Sequence, residues 1–276
     1  MQMIPDWPAP AHVRAICTTR FGGASLPPYD SLNLGDHVGD DPAHVAANRA
    51  WFEKAIGARP VFLNQVHGTQ VLQLEKRGRY PFSLWRKVKK GSVPFSLHAS
   101  QADACITHAS GVACTVMVAD CLPVLFTTEQ GDWVAAAHAG WRGLAGQGGV
   151  GVLETTLKRV KRGSVPFSEA QEAAKIIAWL GPCIGPDAFE VGGEVRAAFV
   201  ATDAQAAQCF TALAGGKWLA DLAGLARLRL RAAGVTQVFG NDSSAAWCTF
   251  ANASRFFSHR RDRVTGRFAA SVWRLP

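Results

Sequence analysis

One cysteine and two histidines are the residues of this chain whose types and positions best suit chemistry. Asp120 and Cys121 come directly after an apolar run from Val112 to Ala119, and His138 follows a second apolar run, Trp133 to Ala137. His67 lies further upstream, in the segment VFLNQVHGTQV. Each of the three residues closes an apolar stretch close to a glycine or a proline, so their placement favours a pocket over simple packing.

The first chemistry that this set allows is metal binding. Zinc prefers imidazole nitrogen and thiolate sulfur, and a site with three protein ligands keeps a fourth position for water or substrate. The chain separation is 54 residues from His67 to Cys121 and 17 residues from Cys121 to His138, so no short motif identifies the site. One buried cysteine and two hydrogen-bonded histidines of the core are the alternative that spacing alone leaves open.

The second chemistry is nucleophilic catalysis. Cys121 would be the nucleophile and His138 its general base, with Asp120 or a backbone carbonyl orienting the imidazole. A metal ligand and a nucleophile both require the thiolate form of the cysteine, so the residues by themselves do not separate the two mechanisms.

The elements that must position these residues are predicted to be strands and helices in mixed order. Apolar runs rich in Val, Ala and Met and bounded by Gly or Pro are typical of strands buried on both faces. The pair Asp41-Pro42 predicts a helix to Ile56, and the stretch after His138 predicts one helix that ends near Val160. Because strands and helices do not alternate strictly, we expect an α+β fold, a single globular unit over residues 1–276 with mixed β-sheets flanked by helices. Further predicted elements are strands at 12–21, Val61–Leu63, Thr69–Leu74, Ala102–His108, Lys175–Leu180, Gln237–Phe239 and the C-terminal run, and a helix at Asp221–Ala233.

Composition indicates a globular protein, because 48% of the residues are hydrophobic and 18% are charged. No run reaches the roughly 18 apolar residues of a membrane span. The N-terminal segment has no basic start followed by an apolar stretch, so it does not resemble a signal peptide. Seven scattered cysteines include no C-x-x-C pair, which argues against a zinc ribbon or a disulfide framework. We therefore expect a cytoplasmic protein with no membrane partner.

The net charge of +8 is local and does not describe the whole chain. Two segments are nearly identical, KVKKGSVPFS from Lys87 and RVKRGSVPFS from Arg159. The stretch Arg77–Ser100 around the first copy holds six basic residues and no acid, and the second copy holds three. Without these nine the chain has 20 basic and 21 acidic residues. Extra length is tolerated well in exposed loops. We interpret both segments as basic loop insertions, near residues 77–100 and 159–168, and expect no nucleic-acid partner. The nine basic residues are Arg77, Arg79, Arg86, Lys87, Lys89, Lys90, Arg159, Lys161 and Arg162.

Six motifs in fixed order give the chain a resemblance to a known family. They are NQVHG at Asn64, ADACIT at Ala102, ADCLPVLF at Ala119, AAHAGWRG at Ala136, GPCIGP at Gly181 and FFSHRRDRVTGR at Phe256. This set resembles the YfiH/LACC1 family, and the likeness runs from TTRFGG at Thr18 to the C-terminus. Members of that family have been described as multicopper polyphenol oxidases or laccases, as zinc-dependent purine nucleoside phosphorylases and as a peptidoglycan editing factor.

The resemblance implies a fold, a metal site and an activity. The family fold is a single α+β unit with mixed sheets, similar to that of a bacterial deamidating toxin with a catalytic Cys–His pair. Carried over motif by motif, the metal-binding and catalytic residues are His67, Cys121 and His138. The implied activity is zinc-dependent phosphorolysis of adenosine, inosine, guanosine or methylthioadenosine, with adenosine deamination as a second activity. The implied partners are purine nucleosides and phosphate.

Three alternatives stay open beside this activity. The first is a cysteine hydrolase or amidase that edits peptidoglycan precursors. The second is a copper-dependent polyphenol oxidase, which is less expected because the sequence supplies one compact His/Cys set, although copper binds such ligands more tightly than zinc. The third is a binding protein with a structural metal, which would need a fourth protein ligand that the sequence does not reveal.

Phosphorolysis also needs a subsite for phosphate, and arginine offers two donors in a suitable geometry. Arg142 is the first candidate because it follows His138 closely. Each candidate arginine could instead form a surface ion pair and bind no phosphate. The amide candidates could instead cap a turn, and the tryptophan candidate could belong to the core. The remaining candidates are Arg20 and Arg260 or Arg261 for phosphate, Asn64 and Gln65 for a purine edge, and Trp141 for stacking on the base.

Overall fold

The fold is seen in a computed structural model that describes residues 2–74, 96–161 and 175–276, with backbone alone at 96–100 and 161. Residues 77–95 and 162–168 of the expected insertions lie outside the described residues. The end of the first expected insertion, 96–100, belongs to a strand, and the start of the second, 159–161, belongs to a helix. At 96–100 a strand therefore stands where a loop was expected, whereas a helix that ends at 161 agrees with the predicted helix end near Val160.

Fourteen strands and six α-helices are found in the described residues. The strands are β1 Val13–Cys17, β2 Arg59–Asn64, β3 Val71–Leu74, β4 Ser96–Gln101, β5 Ala104–Thr107, β6 Val112–Val118, β7 Leu122–Thr128, β8 Val134–Ala139, β9 Ile176–Leu180, β10 Glu190–Val191, β11 Phe210–Ala212, β12 Trp218–Ala220, β13 Gln237–Gly240 and β14 Phe268–Arg274. The α-helices are α1 Pro42–Ile56, α2 Trp141–Ala145, α3 Val152–Lys161, α4 Gly193–Val200, α5 Leu222–Ala232 and α6 His259–Asp262. Short 3-10 helices cover Ala204–Cys209, Ala214–Gly216 and Ala245–Trp247. No helix among the described residues has the length and apolar character to span a membrane.

Two large mixed sheets form the centre of the molecule. One has the strand order β1-β14-β6-β2-β4 and the other has the order β13-β9-β7-β8-β5-β3. Parallel pairs occur between β2 and β6, β2 and β4, β3 and β5, and β9 and β13, and the other pairs in these sheets are antiparallel. The third sheet, β10-β12-β11, is small and antiparallel and has no strand in common with the other two. The α+β class with mixed sheets is thereby confirmed.

The core has three apolar layers, which explains why the central strands are apolar without alternation. Side chains of both sheets meet in one layer, for example Val116 on β6 and Leu125 on β7. The outer face of the five-stranded sheet packs on α1 through residues such as Phe52. The outer face of the six-stranded sheet packs on α3 and α5, with Leu157 among the contacts. Strands β6, β7 and β8 are therefore buried on both faces.

Local signals predict some elements well and miss others. Helix α1 begins and ends as predicted, because the Asp41 side chain accepts a hydrogen bond from the Ala43 N–H and Gly57 closes the helix with a φ of 63°. The single helix predicted after His138 is wrong. It is divided into α2 and α3 at Gly146, which has a φ of 62° and lies so close to the backbone of Val150 that a side chain would collide with it.

Three connections carry the chain from the five-stranded sheet to the six-stranded sheet at the same end of the molecule. They are the connections from β2 to β3, from β4 to β5 and from β6 to β7. Residues on these connections therefore meet although they are far apart in the sequence. His67 lies on the first, Asp103 on the second and Cys121 on the third.

A long loop between β1 and α1 is held by one buried asparagine of the helix. The Asn48 side-chain oxygen accepts a hydrogen bond from the Ala24 N–H at 2.7 Å. Its amide group donates to the Ser25 hydroxyl and to the carbonyls of Ser31 and Asn33 at 2.8 to 3.1 Å. These four contacts fix a loop that has little regular structure of its own.

Replacing Asn48 with alanine should destabilise the protein. The change leaves several buried polar groups of the loop without partners, and we expect the free energy of unfolding to fall by about 2–4 kcal/mol. Urea unfolding followed by circular dichroism measures this. The control is Lys54→Ala, at an exposed position of the same helix, where a change within about 0.5 kcal/mol is expected. Equal effects of the two substitutions would contradict the role of Asn48.

Candidate metal centre and active site

His67, Cys121 and His138 come together at the end of the sheets where the three connections lie. Their ligand atoms all lie within 4.8 Å of one another. The Cys121 Sγ is 3.6 Å from the His67 Nε2, and the two imidazole rings meet edge to face with centroids 4.7 Å apart. His138 is buried, Cys121 is half-buried and His67 is exposed, so the group is supported by the core and open to solvent on one side.

Asp103 organises the loop that carries His67. Its buried carboxylate accepts hydrogen bonds from three successive backbone N–H groups, those of Val66, His67 and Gly68, at 2.7 to 3.2 Å. Successive N–H groups that converge in this way form a concave anion-binding arrangement of the backbone. The turn requires a left-handed conformation at His67, whose φ is 60°. The carboxylate of Asp103 thus sets the conformation from which the His67 side chain projects.

The same carboxylate orients His138. The His138 Nδ1–H donates to Asp103 Oδ1 at 2.8 Å, because an ionised carboxylate can only accept. The backbone N–H of His138 also donates to the Asp103 carbonyl at 2.7 Å. Asp103 therefore holds one imidazole proton at Nδ1, and Nε2 is the nitrogen left to face Cys121 and His67. A carboxylate behind a ligand histidine is the usual support of a metal-binding imidazole.

Gly140 gives the side chains of His67 and Cys121 the space that they occupy. A Cβ atom at this position would lie 2.7 Å from Cδ2 of His67 and 3.0 Å from Sγ of Cys121. A side chain here would therefore push His67 and Cys121 away from their present positions. Gly143, one turn further along, makes a similar close approach to the Gly68 carbonyl. The short helix α2 can pack against the site only because these positions lack side chains.

Asp120 has a structural role and does not orient His138. It adopts a φ of 94° in the turn that leads to Cys121. Its carboxylate accepts hydrogen bonds from the Thr249 hydroxyl and the Arg260 N–H, both at 2.6 Å, and its carbonyl accepts from the Ile184 N–H. The expectation that Asp120 or a carbonyl orients the His138 imidazole is wrong, because Asp103 does so.

The site favours a thiolate and an imidazolium. Burial opposes ionisation of Cys121, but the positive charge of His138 and hydrogen bonds from His138 and His67 outweigh it and lower the pKa of the thiol to about 6. Burial would also lower the pKa of His138, whereas the charge of Cys121 and the hydrogen bond to Asp103 raise it to about 9. For Asp103, burial raises the pKa, but the interactions with His138 and with backbone N–H groups lower it overall.

A cavity of about 400 Å³ opens beside the three residues. This volume lies within the range of small-molecule sites. Its wall combines apolar surface from Met117, Ile184 and Phe189 with cationic and imidazole groups. The polar and ionisable lining residues are His37, Gln65, His67, Asp120, Cys121, His138, His259, Arg260 and Arg267.

The other sequence candidates lie in different places. Gln65 lines the cavity, but both ends of its amide are bonded to the backbone of Met117 at 2.8 Å. Asn64 is exposed at the end of β2. Arg142 is exposed and stacks on the half-buried Trp141, 4.4 Å from the ring centroid. Asn64, Arg142 and Trp141 are not among the cavity-lining residues.

The remaining arginines separate into structural and cavity-lining residues. Arg20 donates to the carbonyls of Asp30 and Ala253 and stacks on Phe257, away from the cavity. Arg261 donates to three carbonyls and pairs with Asp262. Arg260 does line the cavity, as sequence reasoning allowed.

Sequence reasoning missed Asp103 and three cavity residues. Asp103 stands inside the motif ADACIT, and its place between two strand-forming stretches was the available signal. His37 lies in the long loop before α1, and His259 and Arg267 lie in the C-terminal motif. Burial lowers the pKa of the Arg267 guanidinium, while the negative charges of Cys121 and Asp120 act in the opposite sense.

Comparison with known proteins gives matches over nearly the whole chain. A family model described as multi-copper polyphenol oxidoreductase laccase matches residues 14–275. A protein of Pseudomonas aeruginosa named purine nucleoside phosphorylase is 48% identical over 98% of this chain and 97% of its own length. The Escherichia coli protein named purine nucleoside phosphorylase YfiH is 47% identical over 98% of each chain.

Solved structures give the same picture. A Neisseria meningitidis protein superimposes with a TM-score of 0.81 at 41% identity and covers 100% of this chain and 99% of its own. YlmD from Geobacillus stearothermophilus superimposes with a TM-score of 0.78 at 30% identity, over 96% of this chain and 93% of its own.

The Asp103 carboxylate should control the ionisation of Cys121. In protein stripped of metal, we expect the rate of iodoacetamide alkylation at Cys121 to rise with a midpoint near pH 6. Asp103→Asn removes the negative partner of His138, so the imidazolium is weaker and the midpoint should rise by about one unit or more. Peptide mass spectrometry over a pH series measures this. Asp6→Asn, at an exposed position, should leave the midpoint in place, and an unchanged midpoint in Asp103→Asn would refute the coupling.

Proposed function

Since the chain belongs to the YfiH family, whose model carries the description multi-copper polyphenol oxidoreductase laccase, we propose that it is a zinc-dependent purine nucleoside phosphorylase. Its substrates are adenosine, inosine, guanosine or methylthioadenosine together with phosphate, and adenosine deamination is a second activity. We place the enzyme in the cytoplasm, because seven free thiols suit a reducing compartment.

The observation that carries this proposal is the His67–Cys121–His138 group beside a cavity, in a chain nearly half identical to proteins named purine nucleoside phosphorylases. The cavity has the size of a small-molecule site and offers apolar surface to a flat ring and cationic groups to an anion. Both features are needed by an enzyme that binds a purine nucleoside and phosphate at once.

The donor set fits zinc. Two imidazole nitrogens and one thiolate sulfur are ligands that zinc prefers, and three protein ligands leave an open position. Asp103 fixes the proton of His138 on Nδ1, so Nε2 is available as a ligand atom. The low pKa of Cys121 supplies the thiolate near neutral pH. When bound in such a site, zinc supplies Lewis acidity to a water or substrate atom in the open position.

The residues of the chain have separate tasks in this proposal. His67, Cys121 and His138 hold the metal, and Asp103 orients two of these side chains through the contacts described above. The apolar wall of Ile184 and Phe189 contacts the purine ring and excludes water from one side of it. The cationic side of the cavity binds phosphate. Among the arginines named from sequence, the cavity-lining Arg260 suits that task better than Arg142 or Arg20.

A cysteine hydrolase or amidase is the second candidate, and one observation favours it. Cys121, His138 and Asp103 are arranged in space like a nucleophile, its base and an orienting carboxylate, and the pKa of the thiol is about 6. A polyphenol oxidase has less support, because multicopper chemistry needs several sites and the described part of the chain contains one group of His, Cys or acidic residues suited to a metal.

The purified protein should contain about one zinc ion per chain. Cys121→Ala and His138→Ala should each lose most of the metal, because two ligands bind it too weakly to retain it through dialysis. Elemental analysis by mass spectrometry measures the zinc-to-protein ratio. Cys209→Ala, at a half-buried cysteine outside the group, should keep the full ratio. Full occupancy in both ligand variants would end the three-ligand proposal.

The activity itself should depend on both phosphate and metal. We expect inosine to be converted to hypoxanthine and ribose 1-phosphate only when phosphate is present, and chelation to abolish the reaction. Alkylation of Cys121 should be slow in the metal-bound protein and fast after chelation, because a bound thiolate is shielded. Liquid chromatography of the products and peptide mass spectrometry measure the two effects. Fast labelling of untreated protein together with chelator-resistant turnover would favour the hydrolase.

A further inference from the structure

We propose that Arg267 binds the phosphate co-substrate through the edge of its guanidinium formed by Nε and Nη2. This inference rests on the proposed phosphorolysis and assigns the phosphate subsite to a residue of the C-terminal motif that was not among the arginines named from the sequence. Arg267 lines the same cavity as His67, Cys121 and His138, so an anion bound to it lies beside the metal ligands.

The Arg267 side chain is held in place by the protein. Its Nη1 donates to the carbonyls of Thr265 and Gly266 at 3.0 and 3.1 Å. Its backbone N–H donates to the Asn33 side chain at 2.8 Å. Gly35 lies against the aliphatic stem so closely that a Cβ there would be 2.8 Å from Arg267 Cγ. A guanidinium fixed at Nη1 and along its stem loses little further freedom when it binds a ligand.

The other edge of the guanidinium is available. Within the described residues, Nε and Nη2 of Arg267 make no hydrogen bond, and no carboxylate lies within ion-pair distance of this side chain. Neither atom is among the fully buried polar atoms that lack a partner, so both reach accessible space. Two parallel N–H donors are the arrangement that matches two oxygens of a phosphate.

The negative charges of Cys121 and Asp120 act on the Arg267 guanidinium, and two further groups of the cavity oppose them. Arg260 and His259 also line the cavity and add positive or hydrogen-bonding groups. The carboxylate of Asp120 is already occupied by the Thr249 hydroxyl and the Arg260 N–H. Arg260 is a less suitable principal ligand, because its Nη1 donates to the Glu190 carbonyl and its guanidinium stacks over Phe189 at 5.6 Å.

Phosphate held in this way can react without any change at Arg267. An oxygen of the phosphate dianion forms the bond to C1′ of the ribose as the C1′–N9 bond to the purine breaks. The bonding electron pair passes to the purine, which takes up the proton that the phosphate gives up. The products are ribose 1-phosphate and the free base. Arg267 holds two oxygens that do not react and lowers the entropy loss of bringing the reactants together.

The test compares the phosphate dependence of inosine turnover in Arg267→Gln, Arg267→Lys and the matched control Arg231→Gln. Loss of the two charged donors should raise the KM for phosphate by about ten-fold or more and leave the KM for inosine within about two-fold. Lysine keeps the charge but not the paired donors, so we expect a rise of about three-fold or more. Arg231 is exposed on α5, and its variant should match the wild type. Zinc content and Tm identify the variants that remain folded.

Two outcomes separate this inference from the proposed function. A wild-type KM for phosphate in any folded Arg267 variant would overturn the phosphate subsite while phosphorolysis stands. If the wild-type protein shows no phosphate-dependent turnover, the proposed function fails. Calorimetric titration of zinc-loaded wild type and Arg267→Gln with inorganic phosphate then tests the subsite alone. Binding that weakens about ten-fold or more in the variant supports the subsite, and equal binding, or none in either protein, overturns it.

Discussion

The contact on which this structure most depends is that between the Asp103 carboxylate and the groups that surround it. One buried negative charge satisfies three successive backbone N–H groups of the loop that carries His67, and it also binds the Nδ1–H of His138. A buried carboxylate is unfavourable unless it is fully hydrogen-bonded. Here the hydrogen bonds come from the loop that carries His67 and from His138. The same contacts therefore stabilise the charge and position the two histidines.

The two packed sheets explain why that carboxylate can be placed so well. Strands β6, β7 and β8 are buried on both faces, and interiors of this kind are packed as densely as organic crystals. The connections that leave them therefore begin from fixed points. His138 belongs to β8 and Cys121 directly precedes β7, so strands hold both residues, whereas His67 lies on a longer loop and needs Asp103 to hold it.

Sequence reasoning located the reacting groups because cysteine and histidine at the ends of apolar runs are conspicuous. It also placed α1, because Asp41, Pro42 and Gly57 are local signals for where a helix begins and ends. It missed β7, in which Pro123 stands at the second position and argues against a strand. Asp103 and Arg267 were missed for a different reason. Their roles arise from contacts with residues 35 or more positions away, such as Asp103 with His138 and Arg267 with Asn33, and a single sequence does not record such contacts.

The three connections between the sheets also determine how the site relates to folding. In a small zinc finger the ligands are close in sequence, and the ion itself organises the chain. Here His67, Cys121 and His138 are separated by long stretches and meet only after both sheets have paired and packed. Contacts between distant residues form late because loop closure opposes them. An ion that binds only the finished arrangement acts by mass action, adding stability in proportion to the logarithm of its free concentration. A metal ion held by these three residues, as proposed, would therefore bind only the native state, and its binding would show that both sheets have packed.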